Sequence, residues 1–282
     1  MEPGGVILES AGKKQVIIAK ILQVIALAVI VLLLTHIFYL VFQYLGIYGS
    51  DWGFAFRPAA LDFMHPERAR FPVYAPWVSV FLFPLACLPS EWGRCFIFVV
   101  SLVVVVLYVK DWWRALLLSL NMIVLAAMAI GQIDVLLITA FTLPLPLSTI
   151  VVATKPIVLG PWLLRQYIKT KEWEALAPLI CLIIISVVLF GLWFLDIDIT
   201  TLGLGKEAAS AWPAFVPFGL VLLFSPKELH WLLAGAFFIP YLIDYHLAPI
   251  IAYIYKHEQR WWVLVLLTAS SWLIAVARLG WV

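Results

Sequence analysis

Charge is what this chain has least of. Only 12% of its 282 residues are Asp, Glu, Lys or Arg, whereas a soluble domain carries about one quarter, and that deficit excludes an ordinary water-soluble fold. The net charge of +2 is small and its basic residues are scattered, so no nucleic-acid partner is expected. Cysteine is equally sparse. Cys87, Cys95 and Cys181 show no CxxC spacing and no histidine at ligand distance, which excludes a disulfide framework and leaves them as small apolar residues. Gly-rich phosphate loops, HExxH and nucleophile elbows are absent, as are internal repeats and low-complexity tracts. Residues 1–20 lead into an apolar run of about 27 residues, too long for a signal-peptide core and without a small-residue cleavage site, so it reads as a retained first span.

What is present is apolar. Sixty-five per cent of residues are hydrophobic, with 14 Trp, 18 Phe and 10 Tyr among them. Apolar runs recur almost end to end. The expected fold is therefore all-α, a polytopic transmembrane bundle of about eight to ten membrane helices that includes re-entrant or broken ones. It forms one transmembrane domain over residues 1–282.

Lys and Arg collect in cytoplasmic loops, so each polar break can be tested for sidedness. Lys13, Lys14 and Lys20 put the N-terminus, residues 1–20, in the cytoplasm. Residues 21–47 then cross outward to a first extracytoplasmic loop, 48–73, with a juxtamembrane helix at 52–63. Residues 74–88, broken by Pro76 and Pro84, are short for a crossing and suit re-entry. That choice keeps Lys110 and Arg114 inside, and with them Arg165, Lys169, Lys171, Lys227, Lys256 and Arg260. Residues 115–130 deliver Gly131 and Gln132 to the outer side, and residues 133–141 go back inward. Two half-length helices meeting at Lys155 form a broken hairpin, which is tolerated at membrane depth only where it faces protein or water. Residues 196–212 form a second outer loop.

An ionisable group at membrane depth is costly, which makes each one a functional candidate. Asp51, in Gly49-Ser-Asp-Trp52, sits at the outer interface, where a carboxylate base can meet an acceptor hydroxyl; capping of the following helix is the alternative. Arg57 offers a bidentate fork for phosphate on the outer side. Gln132 supplies a donor and an acceptor at a helix boundary. Lys155, at the hairpin tip, calls for an anionic partner, and Asp134 reads as a buried partner of Lys155 or Arg57. Asp244 is either a second carboxylate or a helix-start residue. His246 falls beside the suspected site, while His36 in the first span reads as an interior residue. No metal cluster emerges.

Taken in order, these pieces resemble a known family. They are the early Asp51, then Phe56-Arg-Pro-Ala-Ala-Leu-Asp-Phe63, Phe71-Pro-Val-Tyr-Ala-Pro76 and Phe83-Pro-Leu-Ala-Cys-Leu-Pro89. Gly131-Gln132, Ala153-Thr-Lys-Pro156 and Ile239-Pro-Tyr-Leu-Ile-Asp-Tyr245 follow. The order resembles integral-membrane glycosyltransferases of the GT-C type, most closely the polyprenol-phosphate-mannose-dependent mannosyltransferases, over most of residues 45–250. The resemblance implies inverting transfer of a hexose, mannose above all, from a polyprenyl-phosphate-sugar donor to a lipid or glycan acceptor on the extracytoplasmic face of a bacterial plasma membrane. Asp51 would be the general base. Arg57, Tyr74, Gln132 and Lys155 would contact the donor, with Tyr241, Asp244 and His246 completing the substrate-binding set. No cofactor is implied, and a metal is optional where Arg and Lys carry the departing phosphate. Two other readings fit the same residues: a transporter or flippase of a lipid-linked anionic substrate, and a catalytically silent membrane subunit of the same fold.

Overall fold

The computed structural model describes residues 4–49, 51–65, 75–195, 213–238 and 243–278, and among them every regular element is helical. The first helix, α1, runs from Gly4 to Leu45. It is about 63 Å long at 1.5 Å per residue, and it starts well before residue 21 because residues 4–20 contain no proline to end it. A short π-helical segment, Trp52–Phe56, continues into α2, Arg57–Leu61. Then come α3, Pro76–Ala86, and α4, Ser90–Val109.

Among the described residues, three helical segments are long and apolar enough to cross a membrane: Val16–Leu45, Ser90–Val109 and Trp173–Phe190. A fourth appears if α5, Trp112–Leu120, and α6, Met122–Ile130, are counted as one span bent by 72°. The most apolar stretch of Val16–Leu45 has no residue buried within the protein. Such a continuous apolar surface is of the kind a bilayer covers. The second half of α1 packs, placing Thr35 and Phe42 against α4, where Phe42 meets Phe98 edge-on. His36 is exposed on this helix beside Trp92, so its expected interior position is not observed.

The bend between α5 and α6 leaves backbone groups unpaired, and side chains from α13 and from the bend itself take them up. Trp272 donates its indole N–H to the Leu120 carbonyl, the Ser271 hydroxyl accepts from the Met122 N–H, and the Asn121 side chain caps Ile123. A break in an apolar helix is tolerated only with such partners. Here two of the three, Trp272 and Ser271, come from α13, Trp261–Arg278.

Residues 133–141, expected to cross inward, instead close into a 3-10 turn at Leu136–Phe141 that is too short to span. The broken hairpin is observed: α7, Leu145–Thr154, and α8, Pro156–Thr170, meet at Lys155. After α9, Ala177–Phe190, and α10, Val216–Leu223, comes α11, Glu228–Phe237. It crosses α8 closely, for a Cβ on Gly235 would lie 2.0 Å from the Val158 carbonyl oxygen. A 3-10 turn, Asp244–Leu247, precedes α12, Ala248–His257.

Among the described residues three buried clusters result. One joins α1, α4, α5, α6 and α12 around Phe98, Leu118 and Met128. A second gathers Trp52, Phe56, Trp77, Ile97 and Ile133. The third packs Val152, Leu159 and Trp162 against Leu232 and Ile250. The chain breaks that carry polar residues, at 51, 132–134, 155 and 244–246, lie in sequence beside members of these clusters.

Candidate functional site

Asp51 precedes the π-helical segment but does not cap it, since its side chain makes no capping hydrogen bond there. Instead its carboxylate accepts from the Gln132 side-chain N–H. Gln132 is 1% exposed, and its position follows from Gly131, which ends α6 in the left-handed region at φ 80°. Space for this approach comes from two glycines. A Cβ on Gly131 would come within 2.7 Å of the Trp52 Cβ, and one on Gly93 within 2.7 Å of the Trp52 ring.

The other end of the Gln132 amide faces Lys155. Its Oε1 accepts from the Lys155 ammonium at 3.5 Å, and the same ammonium donates to Asp134 Oδ2 at 2.6 Å. Both partners of that ion pair are almost wholly buried, at 4% and 3% exposure. The geometry thus selects Lys155 over Arg57 as the partner of Asp134. Burial pushes the Asp134 carboxyl above its ordinary range, and the charge and hydrogen bond of Lys155 pull against that push. A continuous chain results: Asp51, Gln132, Lys155, Asp134. One uncharged amide links a carboxylate to a buried ammonium.

The turn at residues 244–247 covers Lys155. The Tyr245 ring lies 5.1 Å from the ammonium. His246 is buried and accepts the Ile243 backbone N–H at Nδ1. Burial, assisted by the nearby Lys155 charge, lowers its pKa to about 2, so the imidazole is neutral. Asp244 opens this turn and is half-buried. The sequence pattern therefore points to the right turn but singles out Asp244 and His246 without Tyr245, the ring that meets Lys155.

Arg57 stands apart from these contacts. Its Nε donates to the Ala86 carbonyl at 3.2 Å, tying α2 to the end of α3. Tyr74 and Tyr241 lie outside the described residues. A cavity of about 300 Å³ opens at the far end of α8, lined by Ser148, Trp162, Gln166 and Glu172, and none of the expected site residues lines it.

One residue does not stand out in the sequence. Arg94, in the first turns of α4, is 1% exposed and donates to the carbonyls of Ile47 and Ala129, each at 2.7 Å. Its Nε also binds Glu91 at 2.8 Å. An arginine inside an otherwise apolar run, with a carboxylate three residues earlier, is the signal that could have found it.

Two of the basic residues expected in the cytoplasm, Arg114 and Lys256, meet away from this cluster. Arg114 donates to the Lys256 carbonyl at 3.0 Å, and the Lys256 ammonium sits 4.0 Å above the Tyr108 ring at the last turn of α4. Arg94 and Tyr108 thus mark opposite ends of α4, whose 20 residues measure about 30 Å, the thickness of a bilayer's hydrocarbon core. No family model, curated protein or solved structure matches the chain.

Proposed function

We propose that the protein is an integral-membrane glycosyltransferase that moves a hexose from a polyprenyl-phosphate-sugar donor to a lipid or glycan acceptor. The observation that carries this reading is the Asp51–Gln132–Lys155 chain of hydrogen bonds. It puts a carboxylate and an ammonium on the two ends of one amide. Displacement at an anomeric carbon needs both, a base for the attacking hydroxyl and a positive charge for the departing phosphate. Asp51 would take the acceptor's proton, Gln132 would hold the carboxylate in line, and Lys155 would meet the phosphate by exchanging Asp134 for it.

The reading places the Asp51 end of α4 on the extracytoplasmic side and the Lys110, Arg114 and Lys256 end in the cytoplasm, as the positive-inside rule asks. It also rests on the resemblance in the ordered segments from Asp51 to Tyr245. Mannose is the sugar that resemblance favours. The plasma membrane of a bacterium is the matching location.

The Lys155–Asp134 pair favours a second reading as well. A lysine already neutralised by a buried carboxylate suits a catalytically silent membrane subunit of the same architecture. The experiment that separates these supplies polyprenyl-phosphate-[³H]mannose to the purified protein in vesicles holding lipid acceptors. Transfer of label to a new product with release of polyprenyl phosphate supports the enzyme. Label that crosses the bilayer still joined to its lipid indicates a transporter, and label that stays on the donor and on its original side indicates the silent subunit.

A further inference from the structure

Arg94 reaches the two chain segments that carry Asp51 and Gln132. Its Nη2 holds the carbonyl of Ile47, four residues before Asp51, and its Nη1 holds that of Ala129, three residues before Gln132. Both carbonyls lie where a helix ends, α1 at Leu45 and α6 at Ile130, and a helix end leaves carbonyls without intrahelical donors. The guanidinium supplies donors to both at once. Its stem passes through a slot that the glycines on either side keep open. A Cβ on Gly49 would lie 1.9 Å from the Arg94 Cδ, and one on Gly131 would lie 3.3 Å from its Cγ. The Phe42 ring packs 4.7 Å from the guanidinium carbon.

We propose that Arg94 is a positioning residue that sets the spacing between Asp51 and Gln132 and so aims the Gln132 amide at the carboxylate. Its pairing with Glu91 neutralises the charge, and that is a separate task. The planar fork presents two separated donors at fixed spacing to carbonyls on different segments. A lysine keeps the charge and the Glu91 partner, but its three N–H donors share one nitrogen and cannot reproduce the separated Nη1 and Nη2 contacts. The role for catalysis rests on the glycosyltransferase reading, whereas the spacing itself does not.

The two tasks separate in two variants. Glu91→Gln removes the ion pair and leaves the two carbonyl contacts; Arg94→Lys does the reverse. The readout is the side-chain amide NMR signal of Gln132 in lipid nanodiscs, assigned with Gln132→Leu and followed as the pH is varied. We expect the wild type and Glu91→Gln to show a pH-dependent shift of that signal that vanishes in Asp51→Asn, and Arg94→Lys to lack the shift. Gly49→Ala displaces the arginine stem while keeping its head group, and is expected to lack the shift as well, so the outcome does not depend on Arg94→Lys folding. In the transfer assay Arg94→Lys should lower kcat by about 10-fold or more with KM for the donor little changed, as expected when a reacting group is misplaced and donor binding is left intact. Persistence of the shift in both Arg94→Lys and Gly49→Ala overturns the proposal, and so does its loss in Glu91→Gln. A wild type without transfer activity refutes the enzyme reading alone, because the amide signal still decides the role of Arg94.

Discussion

Gln132 donates a hydrogen bond to Asp51 while its own carbonyl oxygen accepts one from Lys155. Reversing or removing the amide therefore disconnects the carboxylate from the ammonium. A hydrogen bond to a charged group contributes about 1.5–3 kcal/mol. Gln132→Leu is accordingly expected to lower transfer by about 10-fold to 100-fold while the protein remains folded, with steady-state kinetics as the check.

Lys155 and Asp134 are buried together, so cutting one away strands the other. Lys155→Met and Asp134→Leu should each destabilise the protein by about 3–5 kcal/mol. The double variant should recover much of that loss, because two apolar side chains leave no buried charge. Unfolding in mixed micelles, run as a double-mutant cycle, measures the difference. Equal loss in the singles and strict additivity in the double would show that the pair is not coupled.

His246 gives a pH dependence with a definite sign. Its folded pKa is depressed to about 2 from 6.5, so protons bind the unfolded chain first as the pH falls. The stability it contributes is fully present above about pH 6.5 and is lost progressively as the pH falls from there towards 2. Asp134, with its raised folded pKa, acts with the opposite sign. The comparison that isolates the histidine is therefore wild type against His246→Gln. Thermal midpoints in detergent should converge as the pH falls from 7 to 4; a constant gap would contradict the assignment.

Gly131 combines a positive φ of 80° with a Cβ position 2.7 Å from that of Trp52. Gly131→Ala meets both backbone strain and a clash, and should cost about 2–4 kcal/mol. Gly160, within α8, has nothing within 4 Å of its Cβ position. Gly160→Ala should be neutral or stabilising by up to about 1 kcal/mol. Thermal melts of the two alanine variants side by side make the contrast.

Helical architecture is legible in the sequence because apolar runs of membrane length leave few alternatives, and the break at Lys155 is legible from Pro156 and the two short runs around it. Residues 133–141 are not, because a short apolar run has no period that separates a crossing from a buried turn. The start of α1 is hidden for another reason: polarity marks where a helix leaves an apolar environment, not where it stops being a helix. Within the site, Asp51, Gln132, Lys155 and Asp134 are visible as polar residues at breaks between apolar runs. Their full pairing is not. Asp51 has an equally good local role as a cap, and only the approach of α6 through Gly131 decides for Gln132. Arg94 stays inconspicuous since its partners are backbone carbonyls of Ile47 and Ala129, which have no sequence signature. Tyr245 is hidden between two residues with more evident chemistry.

The most direct test of the account compares wild type and Asp51→Asn in transfer of labelled mannose from polyprenyl-phosphate-mannose, with both proteins shown to be folded in vesicles. Asparagine keeps the size and a hydrogen bond to Gln132 but cannot accept the hydroxyl proton. The account predicts transfer by the wild type and a loss of about 100-fold or more in the variant, the scale of a general base. Equal rates in the two proteins, whether substantial or at background, would contradict it.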